Sequence, residues 1–297
     1  MSFIFRSDSP AVGERIVLRR AVAGSSELEA QKAHTDIIGH VVEINQGHSI
    51  TVRPQKVGGY ISSKPVITVP WEEVHIIKKL SPRTVRNADI RALESAYAHS
   101  VACEYHTWST NRQWLMRAGS HHGLAFESAI PLGPSAAFGE VPVADIQAFS
   151  QHHGVPPRVW LPERIGRPAE RMVKDVGPEI IALVQSLHPL NADRAAPEES
   201  APIRHTVRIE TADSELDLCA TGVVVHGYLG IFLPEVAPHD LAKSQVDAAI
   251  AAIISWGSSV QAHTAYYYMH PGYEALLSVF ESLGFYEHHR SRVGVLG

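Results

Sequence analysis

Between Thr221 and His289 the hydrophobic period of the chain changes four times, with a turn or breaker residue at most changes. Leu216–His226 and Tyr228–Val236 are short runs of β-branched and aromatic residues around Gly227. Such composition predicts two consecutive strands. Pro238 stops the second. His239–Trp256 then carries Ala242, Val246, Ala249, Ile250 and Ile253 on one face, ahead of Gly257. That spacing predicts an amphipathic helix. Ala262–His270 predicts another strand, and Tyr273–Leu283 a second helix, with Leu276, Val279, Phe280 and Leu283 on one stripe and Gly284 as its stop. The stretch reads as a β-β-α-β-α-β unit, its last strand following Leu283-Gly284-Phe285, and a chain punctuated this way must lay helices over a sheet.

The rest of the chain reads differently. Within residues 14–80, Arg15–Arg20, Asp36–Asn45, Ser49–Pro54, Pro65–Val69 and Val74–Lys79 are short and rich in Val and Ile, with Gly, Pro, Asn and Ser between them. Five such strands predict a small SH3-like β-barrel over 1–81. Asn45-Gln46-Gly47-His48 is its hairpin turn, and Trp71 packs against it. From Ser81-Pro82 onward the pattern is mixed. Asn87 is expected to cap a helix to Ala98 with Ile90, Leu93 and Tyr97 on one face. Gln113–Ala118, Phe126–Leu132 and Arg158–Leu161 predict strands, and Val141–His153 a helix ended by Gly154. Pro178 is expected to open a helix through Leu187, and residues 190–201 a polar loop. The fold class expected is α+β: the barrel at 1–81, then a mixed α/β domain at 82–297 whose halves meet at the 190–201 loop.

Bulk properties narrow the function. The net charge of −5 excludes a surface that grips nucleic acid throughout. Residues 1–80 carry ten Lys/Arg and eight Asp/Glu, hence +2; the remainder carries 16 − 23 = −7. Lys78, Lys79, Arg83 and Arg86 cluster near the end of the barrel region. A nucleic-acid or peptide contact there and a plain solvated charge cluster are both compatible with them. No apolar run has the roughly 20 residues of a membrane span, and MSFIFRSDSP has no signal-peptide core. Cys103 and Cys219 form no metal or redox motif, so a reducing cytoplasm is expected. The doublets His121-His122, His152-His153 and His288-His289 lack helical ligand spacing, so no metal is expected.

The ordered series V-x-P at Val236 and Pro238, helix, strand, and Leu283-Gly284-Phe285 resembles the acetyl-CoA-binding half of the GNAT N-acetyltransferase superfamily. QWLMRAG followed by ESAIPLG, with Pro82-Arg83 and Ile90-Arg91-Ala92-Leu93-Glu94, is similar to an actinobacterial GNAT subfamily of histone-acetyltransferase type that bears an N-terminal SH3-like barrel. The resemblance spans about 14–165 and 216–292. It implies a central sheet splayed between two strands, and a wedge that takes acetyl-CoA as substrate and passes its acetyl group to an amine.

The resemblance also implies site residues. Phe232–Val236, Leu233 and Val236 among them, would offer backbone to pantetheine. Ala237–Val246, including Leu241, Ala242, Lys243 and Ser244, would receive the diphosphate on a helix N-terminus. Glu235 would be the base. Phe280, counted with the cofactor-binding residues, stands where the family places a tyrosine acid, and a phenyl ring donates no proton. Tyr273 and Tyr268 are then the candidate acids, Tyr268 sharing a strand face with Tyr266 and opposite to Tyr267. Glu127 and His226 are further candidates. Lys243 stands where the family has Gly, and Asp240 where Arg is common. Each feature also has a plain structural reading: a buried strand, an amphipathic helix without ligand, a surface glutamate, core aromatics. Two functions follow, an N-acetyltransferase and a GNAT-fold binding or regulatory protein without catalysis. The partners expected are acyl-CoA and an amine, with a homodimer compatible, and no membrane.

Overall fold

The structure is a computed structural model, and it describes residues 10–22, 33–56, 59, 61–80, 84–119, 126–187, 201–209, 218–234 and 243–297. They fall into two compact units, Met1–Val85 and Arg86–Gly297.

The first unit is a five-stranded antiparallel sheet. Its strands are β1 (Arg15–Val22), β2 (Ala33–Asn45), β3 (Ser49–Pro54), β4 (Ile67–Pro70) and β5 (Val74–Lys79), in the order β4-β3-β2-β1-β5. Strand alternation sends Ile16, Leu18, Ile37, Val41, Ile50, Val52 and Val69 into one core. The hairpin between β2 and β3 turns where expected, with Gly47 at φ 75° and the His48 amide donating to the Asn45 carbonyl at 3.0 Å. Barrel closure is not found. Strands β4 and β5 end the path as its two edges, and no described pairing joins them. Trp71 begins a single 3-10 turn and is 37% exposed rather than packed.

The second unit opens with α1 (Asn87–Ser100). Its N-cap is Arg86, not Asn87, because the Asp89 carboxylate accepts the Arg86 amide at 2.8 Å. Then come β6 (Tyr105–Trp108), β7 (Leu115–Ala118), α2 (Val143–His153), β8 (Arg158–Pro162), β9 (Val173–Val176), β10 (Ile180–Ser186), β11 (Ile203–Ile209), β12 (Leu218–Val225), β13 (Tyr228–Phe232), α3 (Lys243–Ser259), β14 (Thr264–Met269), α4 (Leu277–Ser282) and β15 (Tyr286–Leu296). Gly154 ends α2 in the left-handed region, at φ 67°. Helix α3 runs through Gly257 to Ser259 instead of stopping there.

An eight-stranded sheet orders these strands β11-β12-β13-β14-β10-β15-β8, with β9 also on β15. Strand β10 corrects the helix expected after Pro178. IIALVQS is β-branched and apolar, and it lies between β14 and β15, pairing antiparallel with both. Tertiary burial of both faces overrides a proline that suits a helix start equally well. Phe126–Leu132 forms no full strand. It contributes two single bridges, Leu115 to Ile130 and Ala129 to Val159, which link the β6–β7 hairpin to β8.

The helices cover both faces. On one, α3, α4 and the 3-10 turn before α4 bury Val246, Ile250, Ile253, Phe280 and Leu276 against Leu229, Ile231, Tyr267 and Met269. Each such aliphatic side chain is worth about 1.5–3 kcal/mol. On the other, Leu93, Ala96 and Tyr97 of α1 meet Ala182, Val184, Tyr266 and Tyr268. The tyrosines of β14 alternate between the faces as expected.

Candidate functional site

Among the described residues, β13 and β14 are the one parallel strand pair of the sheet, and their pairing is short. Tyr228, Leu229 and Gly230 sit opposite Thr264, Ala265 and Tyr266, and there the described pairing ends. Each strand nevertheless continues in the sheet on its outer side: β13 pairs with β12 as far as Phe232, and β14 with β10 as far as Met269. The two inner edges therefore part beyond Gly230. Gly230 marks the apex. A Cβ there would lie 2.6 Å from the Tyr266 hydroxyl oxygen, so only glycine lets the tyrosine cross at that point. The V leaves main-chain edge on both sides, a template for an extended ligand.

Side chains line the V on its two faces. Leu233 and Tyr273 pack with the α3–α4 cluster, and Phe232 packs with the α1 cluster. The first described residues of α3 are Lys243 and Ser244, both exposed. The Lys243 ammonium donates to the Ser278 hydroxyl at the start of α4, at 3.3 Å. Helix α3 is 17 residues long, and its N-terminal end carries the positive pole of its dipole. Glu235, Val236, Leu241 and Ala242 lie outside the described residues, as do Asp240 and the 190–200 part of the expected loop.

Phe280 is fully buried. Its ring stacks on Tyr267 at 4.3 Å between centroids and meets Phe285 edge-on at 5.2 Å. It occupies the core of the α3–α4 face. Tyr268 faces the other way. It stacks on Tyr97 at 3.8 Å and is 5% exposed. Burial, and then the Glu94 carboxylate, pushes this phenol well above its ordinary range, so it keeps its proton. The sheet thus separates the two candidate acids, Tyr273 on one face and Tyr268 on the other. Glu127 is engaged by Arg158 at 3.3 Å. His226 sits in the β12–β13 turn at φ 51°, its ring 5.9 Å from that of His99.

One group entered the sequence analysis only as the end of a family motif, with no role given to it. Glu94 of α1 is wholly buried, and its carboxylate accepts from Trp160 Nε1 at 2.7 Å and Ser291 Oγ at 2.9 Å, and meets His289 Nε2 at 2.7 Å. His288 lies against His289, Nδ1 to Nδ1, at 2.7 Å. Burial, with His289 second, pulls His288 down to about 3. The signal was present: Glu94 lies four residues after Ile90 and three before Tyr97, inside the apolar stripe of α1. Its partners come from β8 and β15, which no local pattern associates with it.

Residues 87–230 and 224–294 match the family described as "Probable histone acetyltransferase Rv0428c C-terminal". The chain belongs to that family. A relative from Mycobacterium tuberculosis (strain ATCC 25618 / H37Rv), the "Probable histone acetyltransferase Rv0428c", is 27% identical over 309 residues, covering 95% of each chain. The histone-acetyltransferase-type GNAT subfamily read from QWLMRAG and ESAIPLG is the one this match supports. A solved GCN5-related N-acetyltransferase from Kribbella flavida aligns over 70% of this chain and 95% of its own, with 12% identity and a TM-score of 0.47.

Proposed function

We propose that this member of the Rv0428c C-terminal family is an N-acetyltransferase that takes acetyl from acetyl-CoA to an amine in the V between β13 and β14. The observation that carries the reading is the parallel pairing that stops after three residues while both strands continue outward. An extended pantetheine arm needs such an edge, and Phe232 and Leu233 supply it. Lys243, Ser244 and the preceding Leu241 and Ala242 are assigned to the diphosphate, with the lysine charge standing in for the close backbone approach a glycine would allow. Glu235 and Val236 are assigned to the end of the β13 edge, Glu235 as the base that accepts the amine proton. For the acid that protonates the leaving thiolate, Tyr268 and Tyr273 are the phenols available. Phe280 belongs to the packing of the wall.

The acceptor is an amine. The −7 balance of residues 81–297 favours a cationic one through long-range attraction. The name of the Mycobacterium tuberculosis relative makes a protein lysine the first acceptor to assay beside small amines. The N-terminal sheet is assigned an SH3-like docking role.

Calorimetry with acetyl-CoA, followed by an acetyl-transfer assay over amine and histone-peptide panels, tests the proposal. Saturable binding that is weakened in K243A by roughly 1 kcal/mol, about fivefold, is expected, and the difference shrinks at high salt. Absence of binding overturns the acetyltransferase reading. Binding without turnover on any amine leaves the regulatory alternative. Among the described residues no helix is long and apolar enough to cross a membrane.

A further inference from the structure

Arg117 on β7 has an environment that the acyl site does not account for. It is 3% exposed. One terminal nitrogen, Nη2, donates to the Val101 carbonyl at 3.0 Å and lies 2.6 Å from Cys103 Sγ. The guanidinium carbon is 5.2 Å from the centroid of the Phe126 ring. The other terminal nitrogen, Nη1, is buried without a hydrogen-bond partner. Among the described residues no carboxylate pairs with it. A guanidinium keeps its charge at any ordinary pH, and a buried charge without a counter-charge is costly. Burial lowers Arg117 from its usual range, and Cys103 is first among the groups that raise it again.

Two groups that raise Arg117 could carry a negative charge, Cys103 and Tyr97, while the carboxylate of the neighbouring Glu104 is taken by the Tyr105 hydroxyl. Tyr97 of α1 is fully buried, which pushes its phenol well up and holds it neutral. His99 is lowered, by burial first, and is cationic or neutral in any case. Cys103 is the one of the two in direct contact with the guanidinium, its sulfur also lying 3.5 Å from the Phe126 carbonyl oxygen. A thiol against an arginine ionises readily, and the thiolate is the reactive form. Cys103 is half-buried and outside any disulfide.

We propose that Cys103 is a peroxide-reactive thiolate and that Arg117 holds both its sulfur and the oxygen added to it. The sulfur attacks one oxygen of a hydroperoxide. An S–O bond forms as the O–O bond breaks, sulfur gives up two electrons, and the departing hydroxide takes the proton of the sulfenic acid. Sulfenate and water result from hydrogen peroxide. The two terminal nitrogens of a guanidinium form a planar fork suited to a two-atom anion. Nη2 already touches the sulfur, and the unpartnered Nη1 stands ready for the oxygen.

Cys219, exposed on β12, is the internal comparison. In a C219S variant, alkylation of Cys103 by iodoacetamide, followed by intact mass from pH 5 to 9, is expected to show a midpoint below the ~8.5 of an ordinary thiol. In the wild type, substoichiometric hydrogen peroxide with dimedone is expected to label Cys103 about tenfold faster than Cys219. Arg117→Gln is expected to abolish that advantage. A midpoint at or above ~8.5, labelling of Cys219 as fast as Cys103, or undiminished labelling in a folded R117Q protein overturns the proposal. Should R117Q not fold, the wild-type comparison of the two cysteines decides alone.

Discussion

Glu94 shows how a single buried residue commits several elements. Three side chains from β8 and β15 converge on it, so removing the carboxylate leaves an indole N–H, a hydroxyl and an imidazole stranded in the core. Glu94→Ala is expected to cost about 3–5 kcal/mol in urea unfolding, and Glu94→Gln about 1–3 kcal/mol. Its neighbour His288 makes stability depend on pH. The folded state holds the ring neutral down to about 3, whereas an unfolded histidine protonates near 6.5. The contribution of His288 is therefore present above about 6.5 and is lost as pH falls from there toward 3. Urea midpoints of wild type and H288N should diverge at neutral pH and converge on acidification across that window. Phe280 carries a different lesson. Restoring the family tyrosine, F280Y, puts a hydroxyl into a wholly buried aromatic stack. The expected result is a loss of about 1–3 kcal/mol and no gain in acetyl transfer.

At the scale of elements, the V depends on where β13 and β14 stop pairing. Gly230 is the last residue of β13 paired with β14, and the Tyr266 phenol passes over it. A methyl group there must displace the tyrosine ring, at a cost of about 1–3 kcal/mol. Gly230→Ala is expected to lower the unfolding midpoint and to reduce the thermal shift given by acetyl-CoA. An unchanged shift would show that ligand binds away from this apex. The strand β10 is the element local reading missed. Pro178 and an apolar run suit a helix start as well as a strand start, and only the vacancy between β14 and β15 selects the strand. Strand β15 closes the β-β-α-β-α-β unit as expected, but YEHHRSRVGVL is too polar to advertise its full length or its position between β10 and β8.

For the molecule as a whole, the two units have separate cores. The family match covers residues 87–294, within the second unit alone. A fragment of residues 86–297 is therefore expected to unfold cooperatively and to bind acetyl-CoA as the full chain does, measured by calorimetry on both. A large loss of affinity would assign the N-terminal sheet a part in the site.

The strand–strand–helix–strand–helix series, the β2–β3 hairpin and the family were legible in the sequence, because periodicity, turn residues and motif order are local properties. So was the alternation of Tyr266, Tyr267 and Tyr268. The insertion of β10 beside β14, the gathering of Trp160, His289 and Ser291 on Glu94, and the meeting of Arg117 with Cys103 were decided only by the tertiary structure. These are contacts between segments distant in the chain or across a turn, where charge and burial are settled by neighbours that no spacing rule encodes.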